Sequence, residues 1–120
     1  MVSALDVRDF AVTLPRTELG YVRGSARYRI KQIVYAGVSR DEQVMGFGFP
    51  KAERAALVAG EPDKFLMPRE SDLRFNWVVV RLAAIDVEEM RELVLDAWTM
   101  CVPKFLNREF RLANGWPLTE

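Results

Sequence analysis

Apolar and polar positions follow two different periods along this chain, and each change of period marks a predicted element. From Ala4 to Leu14 apolar residues recur every three or four positions, which predicts a helix. Ser3 is a good N-cap for this helix, and Pro15 ends it. Around Tyr28 and Ile30 the period becomes two, so that successive side chains point to opposite faces, as in a β-strand.

Two more strands are predicted after this one, and short turns join all three into an antiparallel meander. They run from Ile33 to Val38 and from Gln43 to Phe49, whereas the stretch around Gly20 and Gly24 is expected to be a polar connection. The Gly46-Phe47-Gly48 sequence indicates a bulge, or a close approach of another group to the backbone of the third strand.

The second half of the chain returns to the helical period on either side of one strongly hydrophobic strand. The predicted elements are a helix from Lys51 to Ala59, a loop from Glu61 to Leu73, a strand from Trp77 to Leu82, a helix that begins after Asp86 and a final helix from Pro103 to about Asn114. Asp86 is a typical N-cap, with Glu89 as its partner three residues later. This order favours an α+β fold of two layers, in which a single antiparallel sheet packs against helices.

Length and charge restrict the classes of function. A chain of 120 residues is long enough for one domain, residues 1–120, with residues 113–120 expected to form an irregular tail. Its 17 basic and 17 acidic residues cancel, so that any attraction of nucleic acid must come from a local patch. The chain has no histidine, the commonest general base and metal ligand, and it shows no nucleophile-base pair. We therefore expect a protein that is not an enzyme and has no catalytic residues, cofactor or metal ion.

The single cysteine and the N-terminal segment bear on location. Cys101 cannot form a disulfide within the chain, which favours a reducing compartment. The first residues lack the basic start and apolar run of a signal peptide, and no apolar run approaches the roughly 20 residues that cross a bilayer. A cytoplasmic protein without membrane contact is expected. Cys101 falls on the apolar stripe of its helix and is expected to be buried there.

Several short motifs occur in a fixed order along the chain. They are the strand Ala26–Ala36, the helix start Pro50–Val58, the segment Glu61–Phe65, the strand Asn76–Leu82, the helix Asp86–Trp98 and the closing pair Pro103-Lys104. Their sequences and order resemble the MmcQ/YjbR family of small bacterial proteins over roughly Leu5 to Phe105. The chain departs from the family pattern at Gln32 and Asn76, where the family usually has glycine.

The resemblance carries expectations about fold and function. It implies a two-layer domain with one antiparallel sheet, similar to secretion-chaperone-like folds. It also implies the usual label of the family, a DNA-binding protein with a double-wing arrangement. Because a fold does not carry a function with it, the residues themselves have to support that label.

Basic residues provide the best physical argument for nucleic acid. No acidic residue occurs between Leu19 and Arg40, and Arg27, Arg29 and Lys31 are expected to share one strand face. Neighbours on such a face lie about 7 Å apart. The full candidate set for nucleic acid is Arg23, Arg27, Arg29, Lys31, Arg40, Arg74, Lys104 and Arg108, with Arg69 and Arg111 as extensions. Weak, salt-dependent binding of DNA would follow, but arginine also suits the wet face of any antiparallel sheet.

Four aromatic residues offer ring faces on which bases could stack, namely Tyr28, Tyr35, Trp77 and Trp116. The alternation of Tyr28 and Trp77 within their strands favours core packing instead, and the position of Trp116 stays open. A second hypothesis is an adaptor that binds a protein or peptide, which a chaperone-like fold permits. A contiguous basic patch would favour nucleic acid, and an exposed apolar groove would favour a protein partner.

Overall fold

A computed structural model describes residues 1–118 and places them in two layers, with helices on one face of a sheet. The helices are α1 (Ala4–Ala11), α2 (Lys51–Gly60), α3 (Val87–Thr99) and α4 (Lys104–Asn114). The strands are β1 (Glu18–Val22), β2 (Ser25–Ile30), β3 (Ile33–Val38), β4 (Val44–Gly48), β5 (Phe65–Leu66) and β6 (Trp77–Arg81). Single 3-10 turns occupy residues 70–72 and 82–84.

The sheet has the strand order β1-β2-β3-β4-β6-β5, and every neighbouring pair is antiparallel. Its core face carries alternate residues of the strands, and these pack against the apolar stripe of α3. Buried members of this core with at most 1% of their surface exposed include Tyr28, Met45, Phe47, Val78, Val80, Met90, Val94 and Trp98. The predicted α+β fold, one antiparallel sheet packed against helices, is confirmed.

The prediction missed two strands. β1 occupies the stretch that was expected to be a polar connection, and β5 lies inside the predicted loop after α2. β1 and β2 form a hairpin whose turn residues, Arg23 and Gly24, both have positive φ, at 52° and 82°. Asn-Gly and Asp-Gly are the familiar signals for such a turn, and Arg-Gly is a weaker one. β5 has only two residues, too few to show a period.

Helix ends follow local capping. Ser3 and Asp6 form a reciprocal capping box at the start of α1, so that the predicted N-cap is confirmed. Asp86 also caps α3 as predicted, because its Oδ1 accepts the backbone N–H of Glu89 at 2.8 Å. The Glu89 carboxylate does not complete the box but instead accepts from Nζ of Lys64 at 3.0 Å. α1 ends at Ala11, three residues before the predicted end.

The C-terminal region differs from the predicted irregular tail. Residues 113–114 still belong to α4, Gly115 ends the helix at φ 73°, and residues 116–118 lie in neither helix nor strand. The last two residues of that predicted tail lie outside the described part of the chain. Trp116 is partly buried, with its ring centroid 6.1 Å from that of Phe10. Its contact with α1 accounts for its position, which the sequence left open.

Arg111 is buried within the helical layer, with 3% of its surface exposed. Its guanidinium donates to Asn107 Oδ1 at 2.6 Å, Thr99 Oγ1 at 2.9 Å, the carbonyl of Pro117 at 2.9 Å and Asp96 Oδ1 at 3.2 Å. The expectation that Arg111 extends a nucleic-acid surface is therefore wrong, since these contacts join α4 to α3 and to the following segment.

Two buried tyrosines are expected to make the free energy of unfolding depend on pH in the alkaline range. Burial raises the pKa of Tyr28 to about 12 from its usual 10.0, and burial also raises the pKa of Tyr35. Above pH 10 the unfolded chain releases phenol protons that the folded chain keeps, so the free energy of unfolding must fall as pH rises. Urea unfolding at pH 8 and pH 11 measures the loss, which is expected to be smaller in Tyr28→Phe. Tyr21→Phe, at a residue that is 64% exposed, is the matched control, and an equal effect of both substitutions would contradict the prediction.

Candidate functional site

The face of the sheet opposite the helices carries an open groove of about 940 Å³. We call this face the outer face. Apolar side chains form most of the groove walls, namely Ile33, Val34, Val44, Phe75, Trp77, Val79 and Met100. Ile33, Phe75 and Met100 are 56%, 50% and 47% exposed, respectively. Exposed apolar side chains that line one concave surface are typical of a binding site.

Two glycines form the centre of the groove floor. Gly37 of β3 and Gly46 of β4 are direct cross-strand partners. The indole of Trp77 lies on Gly46, because a Cβ atom there would stand 2.6 Å from ring atoms. The Arg27 side chain lies beside Gly37, where Cδ would be 3.2 Å from such a Cβ. The close approach that the glycines indicated is thus confirmed, and the prediction that Trp77 packs in the core is wrong.

A buried arginine on α2 donates hydrogen bonds to the backbone of the segment that carries Trp77. Arg54 is 8% exposed and donates to the carbonyls of Phe75 at 2.8 Å and Trp77 at 3.3 Å, and also to that of Leu73. Asn76 Oδ1 in turn accepts the backbone N–H of Lys51 at 3.0 Å, which satisfies a free donor at the start of α2. Segment 73–77 is therefore fixed to α2. Sequence reasoning noticed Arg54 only as part of a motif.

The far end of the groove reaches the end of α3. Strands β3 and β4 pair from Ala36–Phe47 to Val38–Met45 only, and past this pairing Met100 and Cys101 line the groove. Cys101 lies two residues beyond α3 and is partly buried against the core, so the prediction of a buried residue on the stripe of that helix is met only in part. Burial raises the pKa of the Cys101 thiol.

Two side chains of the groove, Arg27 and Trp77, carry N–H groups that no described acceptor uses. Arg27 donates from Nε to Ser25 Oγ at 3.4 Å, but its guanidinium forms no ion pair within residues 1–118. The indole N–H of Trp77 makes no hydrogen bond with any described residue. Arg69 and Asp72 also line the groove, and they pair with each other at 3.1 Å.

Comparison with known proteins places this architecture in a family. The family model YjbR matches residues 12–100. The chain belongs to the YjbR family. The family identified from the motifs is thereby confirmed. The crystal structure of Deinococcus radiodurans protein DR2400, a DUF419 domain, matches the YjbR chain with a TM-score of 0.72 and 16% identity. That match covers 100% of this chain and 93% of the other, and at this identity it shows the fold alone.

Curated relatives of this YjbR chain occur in mycobacteria. Uncharacterized protein Rv2570 of Mycobacterium tuberculosis and Uncharacterized protein Mb2600 of Mycobacterium bovis are each 42% identical to it over 60 residues. Those 60 residues are 50% of this chain and 45% of each relative. The match therefore spans less than half the length of these proteins.

The predicted basic face of the YjbR sheet is only partly present. Arg27 and Arg29 lie on the outer face of β2, but Lys31 follows the strand in a turn with φ 55°, so the three do not share one strand face. Arg29 pairs with Glu18 of β1 at 3.3 Å, which partly neutralises it. Arg40 follows β3 and packs on Gly24 in the turn between β1 and β2, where a Cβ on Gly24 would lie 3.2 Å from Cγ of Arg40.

The remaining candidates for nucleic-acid binding lie on other parts of the YjbR domain. Arg74 stands over the ring of Phe75, 4.7 Å from its centroid, beside the groove. Lys104 and Arg108 are exposed on α4, a helix of the other layer whose Phe110 contacts Trp98 of α3. The structure thus distributes the eight predicted residues over several surfaces instead of joining them in one patch.

Neither a cluster of metal ligands nor a membrane-spanning helix occurs in the described part of this YjbR chain. Within residues 1–118 no group of three potential metal ligands from cysteine, aspartate or glutamate comes together. None of the helices in that range is both long and apolar enough to traverse a bilayer.

Proposed function

We propose that this YjbR-family protein is a non-enzymatic binding protein whose outer-face groove takes an extended segment of another protein. The observation that carries the proposal is the exposed apolar lining of the groove on the outer face of the sheet. Apolar side chains in an open concave surface gain free energy when a partner removes them from water. The free thiol Cys101 agrees with a cytoplasmic setting for this interaction.

The shape of the groove favours an extended chain. Its floor is the sheet itself, and the glycines at its centre let the Trp77 indole lie against β4 at Gly46 and the Arg27 side chain lie against β3 at Gly37. An extended chain that lies along this floor can place alternate side chains against the apolar walls. Recognition of extended segments through alternate side-chain pockets is a recurrent mode of peptide binding.

Selection from a phage-displayed library of random 12-residue peptides tests the proposal. Recovered peptides are synthesised and titrated against the protein by isothermal calorimetry. The double variant Phe75→Ser/Met100→Ser is expected to lose at least tenfold in affinity, because it removes two exposed apolar walls. The control Val12→Ser/Leu112→Ser removes apolar residues outside the groove, one at the C-cap of α1 and one on α4, which are 51% and 61% exposed. No enrichment, or equal affinities for both double variants, would contradict the proposal.

Weak DNA binding is the second candidate function, and one observation favours it. Three arginines lie near the end of the β2–β3 pair where β2 begins and β3 ends, namely Arg23, Arg27 and Arg40. None of them forms an ion pair within residues 1–118. Three unpaired cations on one end of a sheet are suited to phosphate contacts. Their number is small, which limits the affinity that they can supply.

A salt series tests DNA binding by fluorescence anisotropy with single-stranded and duplex DNA. The variant Arg23→Ala/Arg27→Ala/Arg40→Ala is expected to weaken binding and to reduce the slope of log K against log salt by about 2 to 3. Lys104→Ala/Arg108→Ala, on the helical layer, is the matched control and should leave the slope unchanged. Absence of DNA binding at low salt, or an equal change of the slope in both variants, would contradict DNA binding through these arginines.

A further inference from the structure

Arg27 forms no ion pair within residues 1–118, in contrast to two arginines near it on the sheet and the groove rim. Arg29, the next residue on the same strand face, pairs with Glu18, and Arg69 on the groove rim pairs with Asp72. Arg27 is partly buried, yet the only hydrogen bond of its side chain within residues 1–118 is the long one from Nε to Ser25 Oγ at 3.4 Å. A partly buried guanidinium with free N–H groups is a ready donor for an external anion.

Trp77 brings a second free donor to the same place. Its indole lies on Gly46 and the Arg27 side chain lies beside Gly37, and these two glycines are cross-strand partners. Direct partners in an antiparallel sheet have Cα atoms about 5 Å apart. The guanidinium and the indole N–H therefore border one short stretch of the groove floor from opposite sides.

Several other polar groups of the groove are already engaged. Ser25 Oγ donates to the carbonyl of Val38 at 2.6 Å, and Ser39 Oγ donates to Asp41 at 2.7 Å. Asn76 Oδ1 accepts from Lys51 at 3.0 Å, and the Asp72 carboxylate on the rim is paired with Arg69. The stretch between Arg27 and Trp77 thus offers donors and one positive charge, and the complementary ligand group accepts hydrogen bonds and is negative.

We infer that Arg27 and Trp77 together bind the carboxylate of an aspartate or glutamate side chain within the bound peptide segment. This inference rests on the proposed function. The groove continues past the Gly37–Gly46 pair in both directions, towards Ser39 and Val44 at one end and towards Val34 and Met100 at the other. A chain that lies along the groove therefore passes over Arg27 and Trp77, the carboxylate anchor. This arrangement fits an internal acidic side chain that is flanked by apolar residues.

The peptides recovered from the 12-residue library also test this inference. Each acidic peptide is compared with its counterpart in which asparagine or glutamine replaces the acidic residue. The wild-type protein is expected to bind the neutral peptide about ten- to a hundredfold more weakly, as for loss of a charge-assisted hydrogen bond. In Arg27→Gln the two peptides should bind alike, and in Trp77→Phe, which keeps a ring but loses the N–H, the difference should shrink. Arg29→Gln is the matched control and should preserve the full difference.

The outcomes separate the inference from the proposed function. Peptides that bind in the groove without any acidic preference, or whose preference survives in Arg27→Gln, overturn the carboxylate anchor and leave the groove as a peptide site. A preference for a free C-terminal carboxylate, lost when the peptides are amidated, also overturns it. Failure to recover any peptide sensitive to Phe75→Ser/Met100→Ser overturns both. Thermal unfolding of Arg27→Gln confirms that the variant is folded.

Discussion

Arg54→Met is expected to lower the free energy of unfolding by about 3 kcal/mol, because it removes a buried cation that donates to three backbone carbonyls. Those carbonyls belong to Leu73, Phe75 and Trp77, and Arg54 itself is 8% exposed. Methionine keeps much of the apolar stem but leaves the carbonyls without this donor. Unfolding in urea, followed by circular dichroism, measures the loss.

Matched variants distinguish this role from a general effect of charge. Arg54→Lys keeps the charge but cannot reach three carbonyls with the planar fork of a guanidinium, so it is expected to recover only part of the stability. Arg108→Met changes an exposed arginine on another helix and should alter the free energy of unfolding by less than about 0.5 kcal/mol. A loss for Arg54→Met no larger than that for Arg108→Met would show that the carbonyl contacts contribute little.

Most of the fold was predictable because its determinants are local. The stripe of α3 and its cap at Asp86 are visible as spacing in the sequence, and the strand Ile33–Val38 was placed with its observed ends. The missed strands lack such local signals. β1 is held by pairing with β2, and β5 by pairing with β6, and a period cannot be read from two residues.

The groove was less predictable than the fold. Strand β6 is hydrophobic at Trp77, Val78, Val79 and Val80 in succession, so alternation cannot show which residues face the core. The large indole was assigned to the core, yet Val78 and Val80 occupy it, and Trp77 lies on the outer face. The one sequence signal for this arrangement was Gly46, because a glycine in a strand interior often marks a close approach.

The basic residues show why a charge pattern alone does not define a surface. Alternation placed Arg27 and Arg29 on one face correctly, but it could not show that the strand ends before Lys31. It also could not show that Glu18, eleven residues before Arg29, lies beside it in a neighbouring strand. The partners of a side chain come from tertiary pairing, and these partners decide that Arg27, and not Arg29, has a free guanidinium.

Gly46→Ala is expected to displace the indole of Trp77 from the sheet and to weaken binding of groove peptides about tenfold or more. A Cβ at position 46 would lie 2.6 Å from the ring, so the ring has to move. Overpacking of this kind costs roughly 1–3 kcal/mol where the neighbour cannot yield. Because Trp77 is partly exposed, the ring can swing outwards, and we expect a stability loss near the lower end of that range.

Fluorine NMR of protein labelled with 5-fluorotryptophan measures the displacement directly. The chain has three tryptophans, and Trp77→Phe identifies the resonance of Trp77. In Gly46→Ala this resonance should move towards that of the unfolded protein, whereas those of Trp98 and Trp116 should stay in place. Gly60→Ala is the control, because a Cβ there has no neighbour within 4 Å. In a Gly46→Ala/Trp77→Ala double variant the clash is absent, so the loss of stability should be smaller than the sum of the losses in the two single variants. Strict additivity would mean that the ring does not rest on Gly46.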